Sequence, residues 1–371
     1  MAAVHIRKRL SPKRCTAALG AMLLGALLGC SDSTSPAAPS DKAVGNAGKP
    51  LAQPAVVDVC GKPQSYSAVP QRVVTHDVNI TELFLYLGLG DKLVGYSGIP
   101  SQKEISPALK PLLAQVPNLS SQGMNLEAIV DAKADFVFAG WSYGFRPGGV
   151  TPELLASHGI ASYVLSESCI RVQQRDRVAL DDTVQDLENL ARIFGTEQQA
   201  APQITALKHS MAGLAQQMQG NTQHPRVFVF DSGEKIPVTV GGFGMPQAMV
   251  EAAGGRNIFA DIASNWPRGN WEDVIERDPE WIIVIDYGVP NAQGKIDFLR
   301  SKPELAGVSA VREQRFFVMD YAEATPGPRN VQAAQRLAAA LHPERNIRVD
   351  PAALNAGAVA SGPLAATERR P

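Results

Sequence analysis

The sequence reads as an α/β fold built in two lobes, and two observations carry that reading. Short β-prone runs alternate with helical segments, the pattern of parallel sheets covered by helices on both faces. The order strand, helix, helix, strand also occurs twice. Arg72-Val-Val-Thr-His-Asp77 and Arg226-Val-Phe-Val-Phe-Asp231 share one form: a basic residue, an apolar run and an Asp five positions on. Both read as buried strands whose carboxyl ends present polar groups. Further along, Asn125-Leu126-Glu127 precedes Asp135-Phe-Val-Phe138, and Asn270-Trp271-Glu272 precedes Glu280-Trp-Ile-Ile-Val284. In each case the Asn suits a helix N-cap and the Glu falls in the first turn, where the helix dipole favours negative charge.

Taken in order, the chain opens with Arg7, Lys8, Arg9, Lys13 and Arg14, then an uncharged apolar run from Cys15 to Leu28 that ends at Gly29-Cys30. This predicts a signal peptide over 1–29, because a spanning helix needs about 20 apolar residues and the run is shorter. Leu27-Leu28-Gly29-Cys30 resembles the lipobox of bacterial lipoproteins, which makes Cys30 the lipidated first residue of the mature chain; the alternative is a secretory peptide with an incidental Cys. Residues 30–55, rich in Ser, Pro, Ala and Gly, read as a flexible tether. The first lobe is assigned to 56–180, a connecting helical segment to 181–222 and the second lobe to 223–345. Residues 346–371, rich in Ala, Gly and Pro, read as a frayed tail.

The connector has its own signature. Val184, Leu187, Leu190, Ala191 and Phe194 repeat every three or four residues before Gly195, and Ile204, Leu207, Met211, Leu214 and Met218 do so after Pro202. That stripe predicts a helical strut, broken into two pieces by Gly195 and Pro202. Composition bounds the partners. With 45% hydrophobic residues, a formal charge of −1 and no block of like charge, the chain is a soluble globular protein without an electrostatic bias toward nucleic acid. Beyond the anchor, Cys60 and Cys169 remain in a compartment where thiols oxidise. They suggest one disulfide stapling the entry of the first lobe to its exit; the alternative is two buried thiols.

Several motifs, weak singly and specific in this order, now resemble a known family. They are Asn79-Ile-Thr-Glu-Leu83, Leu87-Gly-Leu-Gly-Asp-Lys-Leu-Val-Gly95, Met124-Asn-Leu-Glu-Ala-Ile-Val130 and Gly254-Gly-Arg-Asn-Ile-Phe-Ala-Asp261. Together, from Arg72 to Arg329, they resemble the periplasmic iron-siderophore, haem and cobalamin binding proteins of ABC importers. Gln122–Val130 with Trp141 after its strand is most similar to the cobalamin-binding members, although Ser121 stands where those carry another Trp. The resemblance implies two Rossmann-like lobes with central parallel sheets joined by a backbone helix, the class III solute-binding architecture. It also implies an extracytoplasmic protein, anchored to a membrane through its lipid alone. The cargo it implies is a metal chelate: a ferric siderophore, a corrinoid or haem, with no resident cofactor. The partner is a permease dimer with its ATPase. In the family one surface Glu per lobe meets permease Arg residues, and by motif position these are Glu127 and Glu272. From the residues alone each Glu is better read as complementing a helix N-terminus, and it is the resemblance that turns the reading toward docking.

A bulky chelate needs aromatic walls and a few polar anchors, and ligands of such sheets lie beyond the strands' carboxyl ends. The loops there supply His76, Asp77, Tyr96, Trp141, Tyr143, Phe145, Phe230, Trp266 and Tyr321, with Arg268, Arg329 and Arg146 as partners for anionic arms. Any one of these aromatics can equally pack a lobe, and any one Arg can be a solvated surface residue. His76, Asp77, Glu82 and Glu323 lack the spacing of a bare-ion site, so no metal is expected to bind the protein directly. Two rivals stand beside this reading: a lipoprotein that senses the same ligand, and an extracytoplasmic α/β enzyme. The second lacks a Gly-x-Ser-x-Gly elbow and a complete dinucleotide loop. A monomer is expected.

Overall fold

The computed structural model describes residues 50–350 apart from Gln102. The expected signal peptide, Cys30 and most of the tether lie outside the described residues, as do residues 351–371 of the expected tail.

The first lobe begins earlier than the sequence suggested. Strand β1 (Pro50–Val59) pairs antiparallel with β2 (Lys62–Ala68), so the last residues assigned to a tether are strand. Ala55, Val57 and Val59 are buried and alternate with exposed neighbours, giving the hairpin one face to lay on the lobe. The sheet proper follows with β3 (Val73–His76), α1 (Val78–Tyr86), β4 (Leu93–Ser97), β5 (Asn118–Ser120), α2 (Leu126–Asp131) and β6 (Phe136–Trp141). The two-residue β7 (Gly144–Phe145), α3 (Pro152–Ser157) and β8 (Ala161–Val164) complete it. The order is β5-β4-β3-β6, with β8 and β7 beside β6, and every pairing is parallel.

Two helices cross to the second lobe, α4 (Asp181–Phe194) and α5 (Glu197–Gln217). The break between them is at Gly195, whose φ of 64° is the left-handed C-cap that ends α4. Pro202 does not break the strut as expected; it lies inside α5. It falls in the second turn, where its missing N–H costs the helix one bond and the apolar stripe carries the helix onward. The stripe residues Val184, Leu187, Leu190, Ile204, Leu207 and Leu214 are all buried.

The second lobe runs β9 (Arg226–Phe230), α6 (Met245–Ala252), β10 (Arg256–Asn257), α7 (Trp271–Arg277), β11 (Trp281–Asp286), α8 (Ala292–Ser301), α9 (Ser309–Arg312), β12 (Phe316–Asp320), α10 (Tyr321–Ala324) and α11 (Asn330–Leu341). Its sheet, β10-β9-β11-β12, is also parallel throughout. The two lobes therefore share a plan: β4-β3-β6-β8 in the first corresponds to β10-β9-β11-β12 in the second.

The plan repeats down to single hydrogen bonds. At the start of β3 the Arg72 guanidinium donates to the carbonyls of Ala132 and Lys133, just past α2, at 2.6 and 2.9 Å. At the start of β9, Arg226 donates to those of Arg277 and Asp278, at the end of α7, at 3.1 and 2.7 Å. Each Arg meets the negative end of a helix. Asp135 then accepts the Arg72 backbone N–H and Glu280 that of Arg226, both at 2.9 Å. Asn125 and Asn270 cap α2 and α7 through their side chains, as expected. A disulfide joins Cys60, in the turn after β1, to Cys169 near the exit of the lobe, with Cα atoms 5.2 Å apart.

In both sheets the first strand of the plan lies between the second and the third, so the chain reverses its winding between β3 and β6 and again between β9 and β11. Crevices form outside the carboxyl ends of strands at such switch points.

Candidate functional site

At the first switch point Asp77 follows β3 with φ 74° and ψ 158°, a region that essentially only glycine occupies without strain. Its backbone N–H donates to the Ser97 carbonyl at 2.9 Å, and its carboxylate accepts the Val78 N–H at 2.7 Å, which hold it there. That geometry turns the carboxylate toward the second lobe. Tyr321 Oη donates to it at 2.7 Å, and Lys103 Nζ lies 3.1 Å from both of its oxygens and 3.7 Å above the Tyr321 ring. His76 is wedged next to it. Its Nδ1 is 2.9 Å from Ser97 Oγ, and a Cβ on Gly98 or Gly144 would come within 2.5 or 2.8 Å of the imidazole. Burial pulls its pKa down to about 4 despite the neighbouring Asp77, so the ring is neutral near pH 7.

Beyond β6, Ser142 adopts a positive φ of 74° between two aromatic residues. Trp141 is half-buried and Tyr143 fully buried. Tyr143 Oη accepts from Trp266 Nε1 of the second lobe at 2.9 Å and donates to Glu167 Oε1 at 3.4 Å. Glu167 in turn accepts from Asn265 Nδ2 of the second lobe at 3.4 Å. Complete burial pushes the Glu167 carboxyl up to about 8, and the donors Asn265 and the Met245 N–H pull it back only in part. A third crossing joins Glu82, fully buried on α1, to Arg329: Nε donates to Oε2 at 2.8 Å and Nη2 to Oε1. The Ser106 N–H donates to the same carboxylate at 2.6 Å. Burial raises the Glu82 pKa, opposed by Arg329.

The second switch point completes the row. Tyr287, directly after β11, donates from Oη to Asp231 Oδ2 at 2.8 Å, and Ser232 Oγ donates to the same oxygen at 2.7 Å. The Tyr287 and Tyr321 rings meet edge-on at 5.1 Å. A continuous seam thus runs from Asp77 through Tyr321 and Tyr287 to Asp231. Among the described residues no group of three or more His, Cys, Asp or Glu side chains is arranged to hold a metal ion.

A sequence model of the periplasmic binding protein family matches residues 73–322, more than half of the chain. The chain belongs to that family. It is 32% identical over 277 residues to the vitamin B12-binding protein of Photorhabdus laumondii subsp. laumondii, covering 74% of this chain and 88% of that one. Among solved structures, a periplasmic binding protein from Veillonella parvula is similar with a TM-score of 0.68 and 25% identity, over 78% of this chain and 99% of that one. An Fe3+-hydroxamate transport protein from Saccharomonospora viridis shares the fold, with a TM-score of 0.65, 21% identity and 77% and 98% coverage.

In this periplasmic binding protein the strand-end rule brings some of the expected residues together and leaves others apart. His76, Asp77, Trp141, Tyr143, Trp266 and Tyr321 lie along or beside the seam. Arg329 is there too, but its guanidinium is engaged by Glu82 and is not free for a ligand's anionic arm. Phe145 is buried in the first lobe's core, next to Trp141. Phe230 is buried in the second, where its ring stacks on Phe298 at 6.1 Å. Tyr96 packs against the first lobe's core from β4. Arg268 is exposed; its backbone, not its side chain, bridges to Val238. Sequence reasoning missed Lys103, Glu167, Asn265 and Tyr287. Tyr287 was within reach, since the rule applied to β6, β9 and β12 points to it equally once applied to β11. Glu167 was too, on a 3-10 turn that starts two residues after β8, whereas Lys103 carries no such signal because the long loop between β4 and β5 delivers it.

Proposed function

We propose that this protein captures a metal chelate at the seam between its lobes and passes it to an ABC permease dimer driven by an ATPase. A corrinoid is the leading cargo, with a ferric siderophore or haem as the other members of the class. The protein binds and releases; it catalyses nothing. One observation carries the reading. Aromatic and hydrogen-bonding side chains of both lobes, Tyr143 and Asp77 from one and Trp266, Tyr287 and Tyr321 from the other, converge where the two switch points face each other, with the half-buried Trp141 two residues before Tyr143. Large flat ligands are held by such aromatic walls with a few polar anchors. The extensive similarity to a vitamin B12-binding protein supports the corrinoid. The lobes are in contact along the seam, so the guest enters by exchanging the contacts of Asp77, Lys103 and Trp266 for its own.

Docking is assigned to Glu127 and Glu272. Each is the exposed second residue of its helix, α2 or α7, in the repeated plan, and each has an exposed apolar residue three positions on, Val130 and Ile275. Two such carboxylates suit two symmetry-related basic pockets of a dimeric permease through charge-assisted hydrogen bonds. We also read the mature protein as a monomer outside the cytoplasm, tethered by lipid on Cys30. The Cys60–Cys169 disulfide supports an oxidising compartment.

Titration of the purified protein with cyanocobalamin, a ferric hydroxamate and haem, followed by tryptophan fluorescence, tests the reading. Saturable quenching by one of them is expected, and a flat response to all three removes it. Glu127→Ala combined with Glu272→Ala is expected to leave that affinity within about twofold while abolishing uptake by cells; unchanged uptake removes the docking assignment.

A further inference from the structure

The second switch point also holds a pocket beside the seam, sharing Ser232 and Tyr287 with it. It encloses about 120 Å³ between the loop after β9 and the loop after β11, and is lined by Phe230, Ser232, Gly233, Tyr287, Lys295 and Phe298 among others. Its size sets the guest. A cavity of roughly 150 Å³ takes up a benzene-sized ring, and drug-sized ligands need about 300 Å³ or more. A whole macrocycle is therefore excluded and a single ring fits. The walls suit an aromatic ring: Phe230 and Phe298 lie near-parallel, with 22° between their planes, and Tyr287 is a third ring on the lining.

Lys295 is the buried charged group of the pocket, beside the Ser232 hydroxyl and the exposed Glu234 on its lining. Lys295 is 4% exposed, an unusual state for a lysine. Its ammonium donates one hydrogen bond, to the Ile285 carbonyl at 2.7 Å, and lies 4.2 Å from the centre of the Tyr287 ring. An ammonium has three N–H donors, and among the described residues that carbonyl is the one acceptor recorded for them. Asp231 and Asp286 supply the nearby negative charge; Ser232 and Tyr287 take Asp231 Oδ2 and the Ala292 N–H takes Asp286 Oδ1, and among the described residues the ammonium hydrogen-bonds the Ile285 carbonyl rather than either carboxylate. With two carboxylates already near the one ammonium and N–H donors unengaged, the missing partner is a neutral acceptor, not a further anion.

We propose that this pocket receives a single aromatic ring carrying a neutral hydrogen-bond acceptor, such as an amide or ring carbonyl, with the acceptor on Lys295 Nζ. Resting on the reading of the seam as the solute site, it is the place where an aromatic arm of the bound solute is recognised. Tyr287 connects the two, since its ring walls the pocket and also meets Tyr321 of the seam.

The test uses benzamide as the probe, followed by saturation-transfer NMR on the full-length protein, with cyclohexanecarboxamide as the saturated control. Benzamide is expected to bind and the control to bind at least tenfold more weakly. Ser232→Leu, which adds a bulky side chain to the lining, and Lys295→Met, which removes the donor, should each abolish the signal, with circular dichroism showing both variants folded. Ser232→Leu keeps the test decisive if Lys295→Met fails to fold. No signal from the wild-type protein, equal signals from the two amides, or an unchanged signal in Ser232→Leu overturns the proposal. Benzamide binding of the expected kind, with no response to any chelate, upholds the pocket and defeats the reading of the seam; chelate binding without benzamide binding does the reverse.

Discussion

Single residues hold the two lobes against each other, and their chemistry makes the hold testable. Glu82 has no exposure and Arg329 almost none. Removing one partner of such a pair leaves a buried charge uncompensated, at a cost of about 3–5 kcal/mol. Arg329→Met is therefore expected to lower the urea midpoint strongly, whereas Glu82→Gln with Arg329→Met together should recover much of the loss. Equal losses in the single and double variants would contradict the pairing. Glu167 makes a second expectation, this one about pH. Its carboxyl is held near 8 in the folded chain against 4.5 when unfolded, so the folded state binds more protons between those values. Its contribution to stability is complete below about 4.5 and disappears as pH rises through 8. Asp186, raised to about 7 by burial, acts in the same direction. His76, with its pKa lowered to about 4 against 6.5, acts in the opposite direction, but only below 6.5. Above 6.5 the wild-type protein should lose stability with rising pH, and Glu167→Gln should flatten that slope without removing it. An identical slope in urea unfolding from pH 6.5 to 8.5 would show that Glu167 is not the titrating group.

At the scale of elements, the duplication was legible because it is written in short-range chemistry. The Arg-to-Asp strands and the Asn-x-Glu helix starts appear in the sequence, and each became the strand or helix that its local signals specify. The ends of the connector were less legible. Gly195 terminates α4 because the left-handed cap suits it, but Pro202 is carried inside α5 because buried packing of Ile204, Leu207 and Leu214 outweighs one lost bond. The start of β1 was missed for a similar reason. An Ala- and Pro-rich stretch has little β signal until a hairpin partner and a lobe surface give its alternate residues something to bury. The disulfide closes a loop of 109 residues, which in the chain-entropy model is worth about 4–5 kcal/mol. Reduction by dithiothreitol, or Cys169→Ser, is expected to lower stability by an amount of that order in chemical unfolding. A midpoint that does not move would place the stability of the first lobe in its core alone.

For the whole molecule, the fold class could be read from the alternation of elements, whereas the seam could be read only in part. Strand ends are local and predictable, so His76, Asp77, Trp141 and Tyr321 could be picked out as strand-end positions. The pairs across the seam, Asp77 with Tyr321, Tyr143 with Trp266 and Glu82 with Arg329, join residues more than 120 positions apart. No local pattern encodes which of them meet. For the same reason Arg329 was taken as a free cation when its partner lies on the other lobe. The central claim is that one guest is gripped by both lobes at once. Its most direct measurement is the affinity of the wild-type protein, Trp141→Ala and Trp266→Ala for whichever of cyanocobalamin, ferric hydroxamate and haem binds, read by calorimetry at one pH and salt concentration. A loss of about tenfold or more in each variant, one from either lobe, is the expected result. Wild-type affinity in both would contradict the claim.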